Sequence, residues 1–225
     1  MGTLTKRLRK LLVPKGSSQR TSAKKWQSPP MEPYERPPDV AGPQDISTVK
    51  EGSFTVRGDI AKLLPSGGIG VELGVALGQF SERMLKESDL SFLYSIDMWS
   101  GDRGHDVEEY KAALQRLLPY KERNSCLRMK FEEALSLFPD EYFDFIYIDG
   151  YAHTGQNSGR TLSDWWPKLK HGGVFSGDDY SPRWPPVMRE VDEFMSRHDL
   201  AFYTLTPSVR EDGYSANASW ITFKP

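Results

Sequence analysis

Carboxylates recur where short apolar runs of this chain end. Glu72 lies inside Gly-Val-Glu-Leu-Gly-Val-Ala-Leu-Gly at 70–78, Asp97 follows the run 92–96, Asp149 follows 143–148, and the pair Asp178-Asp179 follows 174–177. The glycines Gly74 and Gly78 let backbone pass close to a ligand, while an acid in the same turn attracts positive charge and suits free phosphate poorly. The spacing is not the Gly-x-Gly-x-x-Gly of dinucleotide sites, so the turn favours a ligand bearing an ammonium and a sulfonium over a pyrophosphate. Asp97, about one strand-helix-strand repeat later, can accept hydrogen bonds from both hydroxyls of a ribose. Asp149, Asp178 and Asp179 repel one another unless a cation or proton lies among them, and an all-oxygen set suits Mg²⁺. His153 follows closely, and its unperturbed pKa of about 6.5 allows it to take a proton near neutrality. Blander roles stay open. Glu72 can pair locally, Asp97 can open a turn, His153 can be structural, and Asp178-Asp179-Tyr180 can form a polar loop in a metal-free site.

These residues need a scaffold that brings strand ends together. From Ile46 onward short apolar runs alternate with amphipathic stretches, the pattern of strand-helix repeats around a mostly parallel sheet. Strands are predicted at 69–75, 92–96, 126–131, 143–148, 174–177, 201–205 and 219–223. Helical spacing places Leu77, Phe80 and Met84 on one buried face, and Val107, Tyr110, Ala113, Leu114 and Leu117 on another. Leu162, Trp165, Trp166 and Leu169 mark a third helix, ended by Gly172 and Gly173, and Val187, Val191, Phe194 and Met195 a fourth, opened by Pro185 and Pro186. In such sheets ligands bind outside the carboxyl ends of the strands, where the strand order reverses. The aromatic residues Trp99, Tyr151, Tyr180 and Trp184 fall on loops at that end and could wall an acceptor pocket. The segment 101–106, with Gly101 and Gly104, could act as a lid.

The 225 residues suit one domain with an extension: 1–45 basic and proline-rich, 46–225 the folded domain. Lys6, Arg7, Arg9, Lys10, Lys15, Arg20, Lys24 and Lys25 all precede the first acid, Glu32, although the whole chain carries a net charge of only −2. Residues 5–13 could form a short basic helix. Six prolines, at 29, 30, 33, 37, 38 and 43, block regular structure in the stretch that follows, so ordering there needs a partner surface. No apolar run reaches the length of a membrane span or a signal-peptide core. The single Cys126 can form no intrachain disulfide, and together these features point to a cytoplasmic protein. Without aromatic interleaving, the basic arm gives little sign of nucleic-acid binding. A solvated tail is the favoured reading of the basic residues, while the proline-rich arm is expected to exchange between the subunits of a homo-oligomer.

Taken in order, four motifs resemble the class I S-adenosylmethionine-dependent methyltransferases, particularly methyltransferase family 24 and the macrocin-type O-methyltransferases. They are Val-Glu-Leu-Gly-Val-Ala-Leu-Gly-Gln-Phe-Ser at 71–81, Ser-Ile-Asp-Met-Trp at 95–99, Phe-Asp-Phe-Ile-Tyr-Ile-Asp-Gly at 143–150, and Leu-Lys-His-Gly-Gly-Val-Phe-Ser-Gly-Asp-Asp-Tyr at 169–180. The resemblance implies a Rossmann-like α/β fold, with a seven-stranded mostly parallel sheet, helices on both faces and a terminal antiparallel hairpin. It implies S-adenosylmethionine contacts from Glu72, Gly74, Gly78, Phe80, Ser81, Asp97, Met98, Trp99, Glu132 and Asp149. It also implies magnesium on Asp149, Asp178 and Asp179, a catalytic role for Asp149 and His153, and substrate contacts from Tyr151, Tyr180 and Trp184. The expected reaction is metal-assisted O-methylation of a small-molecule hydroxyl on a sugar, polyketide or aromatic acceptor, as in natural-product biosynthesis. Relatives in family 24 place the histidine one residue nearer the aspartate than His153 stands here. A metal-independent transfer to another nucleophile, or a non-catalytic cofactor-binding scaffold, are the alternatives.

Overall fold

The computed structural model describes residues 30–100, 105–207 and 217–225; the predicted basic helix at 5–13, most of the basic arm and the two lid glycines lie outside them. One sheet organises the chain: β1 (Gln44–Asp45), β2 (Ile69–Leu73), β3 (Phe92–Asp97), β4 (Asn124–Arg128), β5 (Phe143–Ile148), β6 (Leu169–Tyr180), β7 (Phe202–Leu205) and β8 (Ala218–Phe223). The spatial order is β1-β7-β8-β6-β5-β2-β3-β4. Strands β2 to β6 pair in parallel, and β8 runs antiparallel to both β6 and β7. After the edge strand β1 the chain enters the sheet interior with β2, moves outward through β3 and β4, and returns to β5 and β6 on the other side. The β2–β5 junction is the switch point at which such sheets hold ligands.

Seven of the strands and the terminal hairpin match expectation. The eighth, β1, is a two-residue edge pairing with Tyr203 and Thr204, too short to carry any hydrophobic period. The core lies on both faces because side chains alternate along each strand. Ile146 and Ile148 pack with Trp165, Phe175 and Phe194 on one side, and Phe145 and Tyr147 with Ile60, Phe80, Met84 and Val174 on the other. Among the described residues no helix is long and apolar enough to cross a membrane.

Several boundaries differ from the sequence reading, each for a local reason. Helix α1 (Gln79–Glu87) starts beyond Leu77, because Ala76 and Gly78 take positive φ and delay the first turn. Helix α2 (Val107–Leu117), capped by Asp106, buries Ala113 and Leu117 but leaves Val107 and Leu114 exposed. Strand β4 ends at Arg128, and Phe131 opens the short α3 (Phe131–Ala134). Gly172 and Gly173 lie inside β6 as an irregularity between the Leu169–Phe143 and Val174–Phe145 pairs, so they do not end a helix. Between β5 and α5 (Arg160–Trp165) the backbone makes a left-handed turn, α4 (Gly155–Ser158), with φ of 56°, 60° and 54° at Gln156, Asn157 and Ser158. Left-handed helical residues cost roughly 1–2 kcal/mol each without glycine. Gly155 accommodates the closest approach, since a Cβ there would lie 2.6 Å from Glu190 Cγ and 2.7 Å from the Pro186 carbonyl oxygen.

Helix α6 (Pro185–Arg197) buries Val187, Val191, Phe194 and Met195, the four positions its spacing selects. Asp192 on the same helix is also fully buried. Its Oδ2 accepts from the Tyr34 hydroxyl at 2.9 Å and Arg36 Nε at 2.8 Å, and its Oδ1 from the Tyr180 hydroxyl at 2.5 Å. Arg36 Nη2 donates to the Tyr180 hydroxyl as well. Burial first, and then Asp192, push the Tyr34 phenol up to about 12. The partner surface of the proline-rich stretch is thus this chain's own helix α6. Removing one member of a buried ion pair typically costs about 3–5 kcal/mol, so Asp192→Ala should lower the unfolding free energy by about 3 kcal/mol in a urea titration, and a loss below about 1 kcal/mol would contradict the anchoring role.

Candidate active site

At the carboxyl ends of β2, β5 and β6 opens a cavity of about 290 Å³, lined by Arg57, Glu72, Gly74, Phe80, His105, Asp149, Tyr151, Asp178, Asp179 and Trp184 among others. A hollow of about 40 Å³ adjoins it, formed by Asp97, Met98, Trp99 and Phe131 and sharing Gly74, His105, Gly150 and Tyr151 with its neighbour. The two spaces follow the strand tips in the order the topology dictates, with β3 at one end and β6 at the other.

Asp97 organises the first tip. Its Oδ2 accepts from the amides of Val75 and Ala76 at 2.9 and 3.0 Å, and its Oδ1 from the Trp99 amide at 3.1 Å. Trp99 Nε1 returns a bond to the Ala76 carbonyl at 2.9 Å. The turn-opening role is therefore real, yet a carboxylate offers about four acceptor positions, and capacity remains toward the smaller hollow for a ligand's hydroxyls. Gly74 is fixed by packing. With φ +97°, a Cβ there would lie 2.1 Å from the Asp149 carbonyl oxygen, so the tips of β2 and β5 can approach only over a glycine. Gly78, at φ +75°, caps α1 beside Ala113.

Glu72 is 1% exposed. It accepts from the Ser81 hydroxyl, which continues through Ser95 (2.6 Å) to Asn124 Nδ2 (2.8 Å). Ser81 therefore supports Glu72 from behind and does not line either hollow. Burial, reinforced by the nearby Asp149 charge, raises Glu72 to about 8 against the pull of Ser81 and Arg57. Phe80 stacks on Tyr147 with ring centroids 4.0 Å apart and forms part of the larger cavity's floor.

Arg57 sits at the centre, on the 3-10 helix Arg57–Leu63 that precedes β2. Its Nη1 donates to Asp149 Oδ2 at 2.9 Å and to Asp178 Oδ2 at 2.6 Å. Burial opposes its charge, but Tyr147, Asp178, Asp149 and Glu72 together hold the guanidinium ionised beyond its ordinary range. Asp178, 2% exposed, is pushed well up by burial despite Arg57. Asp179 is raised to about 6, by burial first and then by Asp149, while Asn217 Nδ2 donates to its Oδ1 at 2.6 Å. Asp179 also takes φ +67°, a conformation aspartate tolerates better than most residues.

The magnesium expectation needs correction. Asp149, Asp178 and Asp179 do converge on one wall, but a guanidinium already bridges the first two and an amide holds the third. Among the described residues no group of three or more His, Cys, Asp or Glu is arranged to hold a metal ion. As they stand, these residues do not fit a divalent cation. Other expected residues also fall elsewhere. Tyr180 turns toward Asp192 and away from the cavity. His153, on the 3-10 turn Ala152–Thr154, is half-buried and does not line the cavity. Glu132 is exposed on α3 and borders a separate small hollow with Asn157 and Arg160. Tyr151 and Trp184 do line the larger cavity, and the Tyr151 hydroxyl approaches Met98 Sδ at 3.8 Å. Two ionisable lining residues escaped the sequence reading: Arg57, and His105, whose Nδ1 lies 2.9 Å from Glu109 Oε2.

Residues 69–180 match the methyltransferase domain of methyltransferase family 24. The chain is a class I S-adenosylmethionine-dependent methyltransferase. No curated protein matches this methyltransferase in sequence. In fold it is similar to a precorrin-6y C5,15-methyltransferase from Geobacter metallireducens, at TM-score 0.54 and 13% identity, covering 73% of this chain and 85% of that one. It is likewise similar to an S-adenosylmethionine-dependent O-methyltransferase from Thermotoga maritima, at TM-score 0.53 and 16% identity, covering 80% and 69%. The residues fit the cofactor: the buried acid Glu72, the glycine Gly74 and the strand-tip acid Asp97 stand along one continuous pair of hollows.

The raised Glu72 has a consequence for stability. A carboxyl whose folded pKa exceeds its unfolded value holds its proton longer in the native state, so stability falls as pH rises. The window runs from about 4.5 to about 8. The ligand-free methyltransferase should lose stability between pH 5 and pH 8, and Glu72→Gln should flatten that part of the profile; equal slopes for both proteins in urea titrations would refute the assignment.

Proposed function

We propose that this methyltransferase methylates a hydroxyl of a small neutral acceptor, a sugar, polyketide or aromatic compound. S-adenosylmethionine, when bound, supplies a methyl group activated on a sulfonium. The observation carrying the proposal is that donor-facing Glu72, Gly74 and Asp149 and acceptor-facing Asp178, Asp179 and Trp184 share one cavity wall. Methyl transfer is an in-line displacement, so the protein's task is to align the partners and remove the acceptor's proton. Glu72 is placed to pair with the donor's ammonium, Asp97 with its ribose, and Met98 and Trp99 to flank its base. The reading keeps residues 46–225 as the methyltransferase unit and 1–45 as its extension, which docks on it through Tyr34, Arg36 and the β1 pairing.

Asp179 is the best-placed general base. It lines the cavity, it is not engaged by the Arg57 ion pairs, and burial lifts it to about 6, which makes it a stronger proton acceptor than an ordinary aspartate while leaving it ionised at neutrality. Tyr151 and Trp184 supply flat apolar surface for the acceptor, and their bulk excludes water from the reacting centre. The similar folds transfer methyl groups to different kinds of atom by their printed names, so the choice of oxygen rests on the acidic acceptor wall and not on the fold.

Calorimetry with S-adenosylhomocysteine, followed by mass spectrometry of hydroxyl acceptors incubated with the donor, tests the reading. The expected result is saturable binding and a product one methyl heavier. General-base contributions are typically about 10²–10⁴-fold, so Asp179→Asn should lower kcat by about 10²-fold or more while leaving S-adenosylhomocysteine affinity within about twofold. Transfer to amines with hydroxyl acceptors untouched would move the chemistry to nitrogen.

A further inference from the structure

We infer that Arg57 is the resident cation of this active site, a positioning residue that holds the tips of β5 and β6 together in place of a divalent metal ion. The inference deepens the reading of the cavity as a methyl-transfer site, and it rests on geometry that the acceptor's identity does not alter. One guanidinium nitrogen reaches both Asp149 and Asp178, whose side chains come from separate strands 29 residues apart in sequence, at 2.9 and 2.6 Å. The Arg57 side chain is 7% exposed, against 25% for Asp149 and 2% for Asp178. Its Cζ lies 5.0 Å from the Phe80 ring centre and 5.8 Å from that of Tyr147, so aromatic faces border the charge that the carboxylates approach.

The delivery of this side chain is as fixed as the contacts. Asp59 accepts from the amides of Thr55 and Val56 at 2.7 and 2.9 Å, closing the start of the 3-10 helix, while Ile60 and Ala61 bury its other side. Arginine does not lose its proton in a protein, and it gives a single positive charge in a planar fork suited to carboxylates. A divalent ion between the same residues would supply twice that charge and an open ligand position for the acceptor oxygen. With Arg57 there instead, the wall keeps more of its negative charge, Lewis acid activation has no place, and proton removal falls to a carboxylate.

The test compares the purified full-length protein with Arg57→Ala and Arg57→Lys by calorimetry and thermal unfolding with MgCl₂ or MnCl₂, using NaCl of equal ionic strength as reference. The wild type and Arg57→Lys should show no saturable ion binding and no shift of the midpoint. Arg57→Ala, which leaves three carboxylates facing a space without its cation, should gain saturable Mn²⁺ binding and a rise of about 4 °C or more at saturation. Adding Asp178→Asn to that variant should abolish the gain. Saturable binding to the wild type that Asp149→Asn removes would overturn the inference, as would a folded Arg57→Ala protein indifferent to both ions. If Arg57→Ala does not fold, the wild type and Arg57→Lys decide it: ion binding to either overturns the inference, and insensitivity of both supports it. S-adenosylhomocysteine binding to the wild type is measured separately, so failure of the methyl-transfer reading and failure of the cation assignment are distinguishable.

Discussion

Four carboxylates, Glu72, Asp149, Asp178 and Asp179, converge on one cavity wall, and the Arg57 guanidinium is the positive charge set among them. Burial raises the pKa of a carboxylate and neighbouring like charges raise it further, and three of these four acids are raised. Without the guanidinium the tips of β5 and β6 would be driven apart or forced to take up protons. The helix carrying Arg57 packs against α1, which follows the glycine turn. The charge balance of the site and the docking of the segment before β2 are therefore one constraint.

That constraint bears on what the cavity can accept. A donor carrying an ammonium and a sulfonium adds positive charge beside Glu72 and Asp149 and relieves the remaining repulsion. An acceptor bearing phosphate or carboxylate would meet Asp178 and Asp179 directly, at a cost that contact with Arg57 alone would not offset. On the proposed reading one field selects both, the donor by attraction and the acceptor by exclusion of anions.

The fold was legible where hydrophobic period and turn chemistry agree. Strand β5 was placed residue for residue because Phe143 to Ile148 is nearly continuously apolar, and the face of α6 followed from Val187, Val191, Phe194 and Met195. Strand-end acids were legible too, since the carboxyl ends of parallel strands are where such a sheet gathers its polar side chains. Arg57 was not. It stands in a 3-10 segment with no period of its own, and nothing in the spacing of a basic side chain more than 90 residues from Asp149 marks it as the cation that Asp149, Asp178 and Asp179 require. Tyr180 is expected at the cavity because it falls, with Trp99, Tyr151 and Trp184, at the carboxyl end of the sheet. Side chains alternate along a strand, however, and the partner that claims it, Asp192, lies on the next helix. The left-handed turn at 155–158 was equally out of reach, because Gln156, Asn157 and Ser158 carry no propensity for it and its enforcement comes from α6.

The anchoring of Tyr34 and Arg36 on Asp192 joins residues 158 and 156 positions apart. A chain emerging from the ribosome exposes its beginning first, and domains settle as units once enough of them is available. The proline-rich stretch therefore has no docking carboxylate until α6 has cleared the exit tunnel, long after β2 to β5 have appeared. Docking of Tyr34 and Arg36 onto α6 becomes a late event of biosynthesis, one that waits until β2 to β6 have been made.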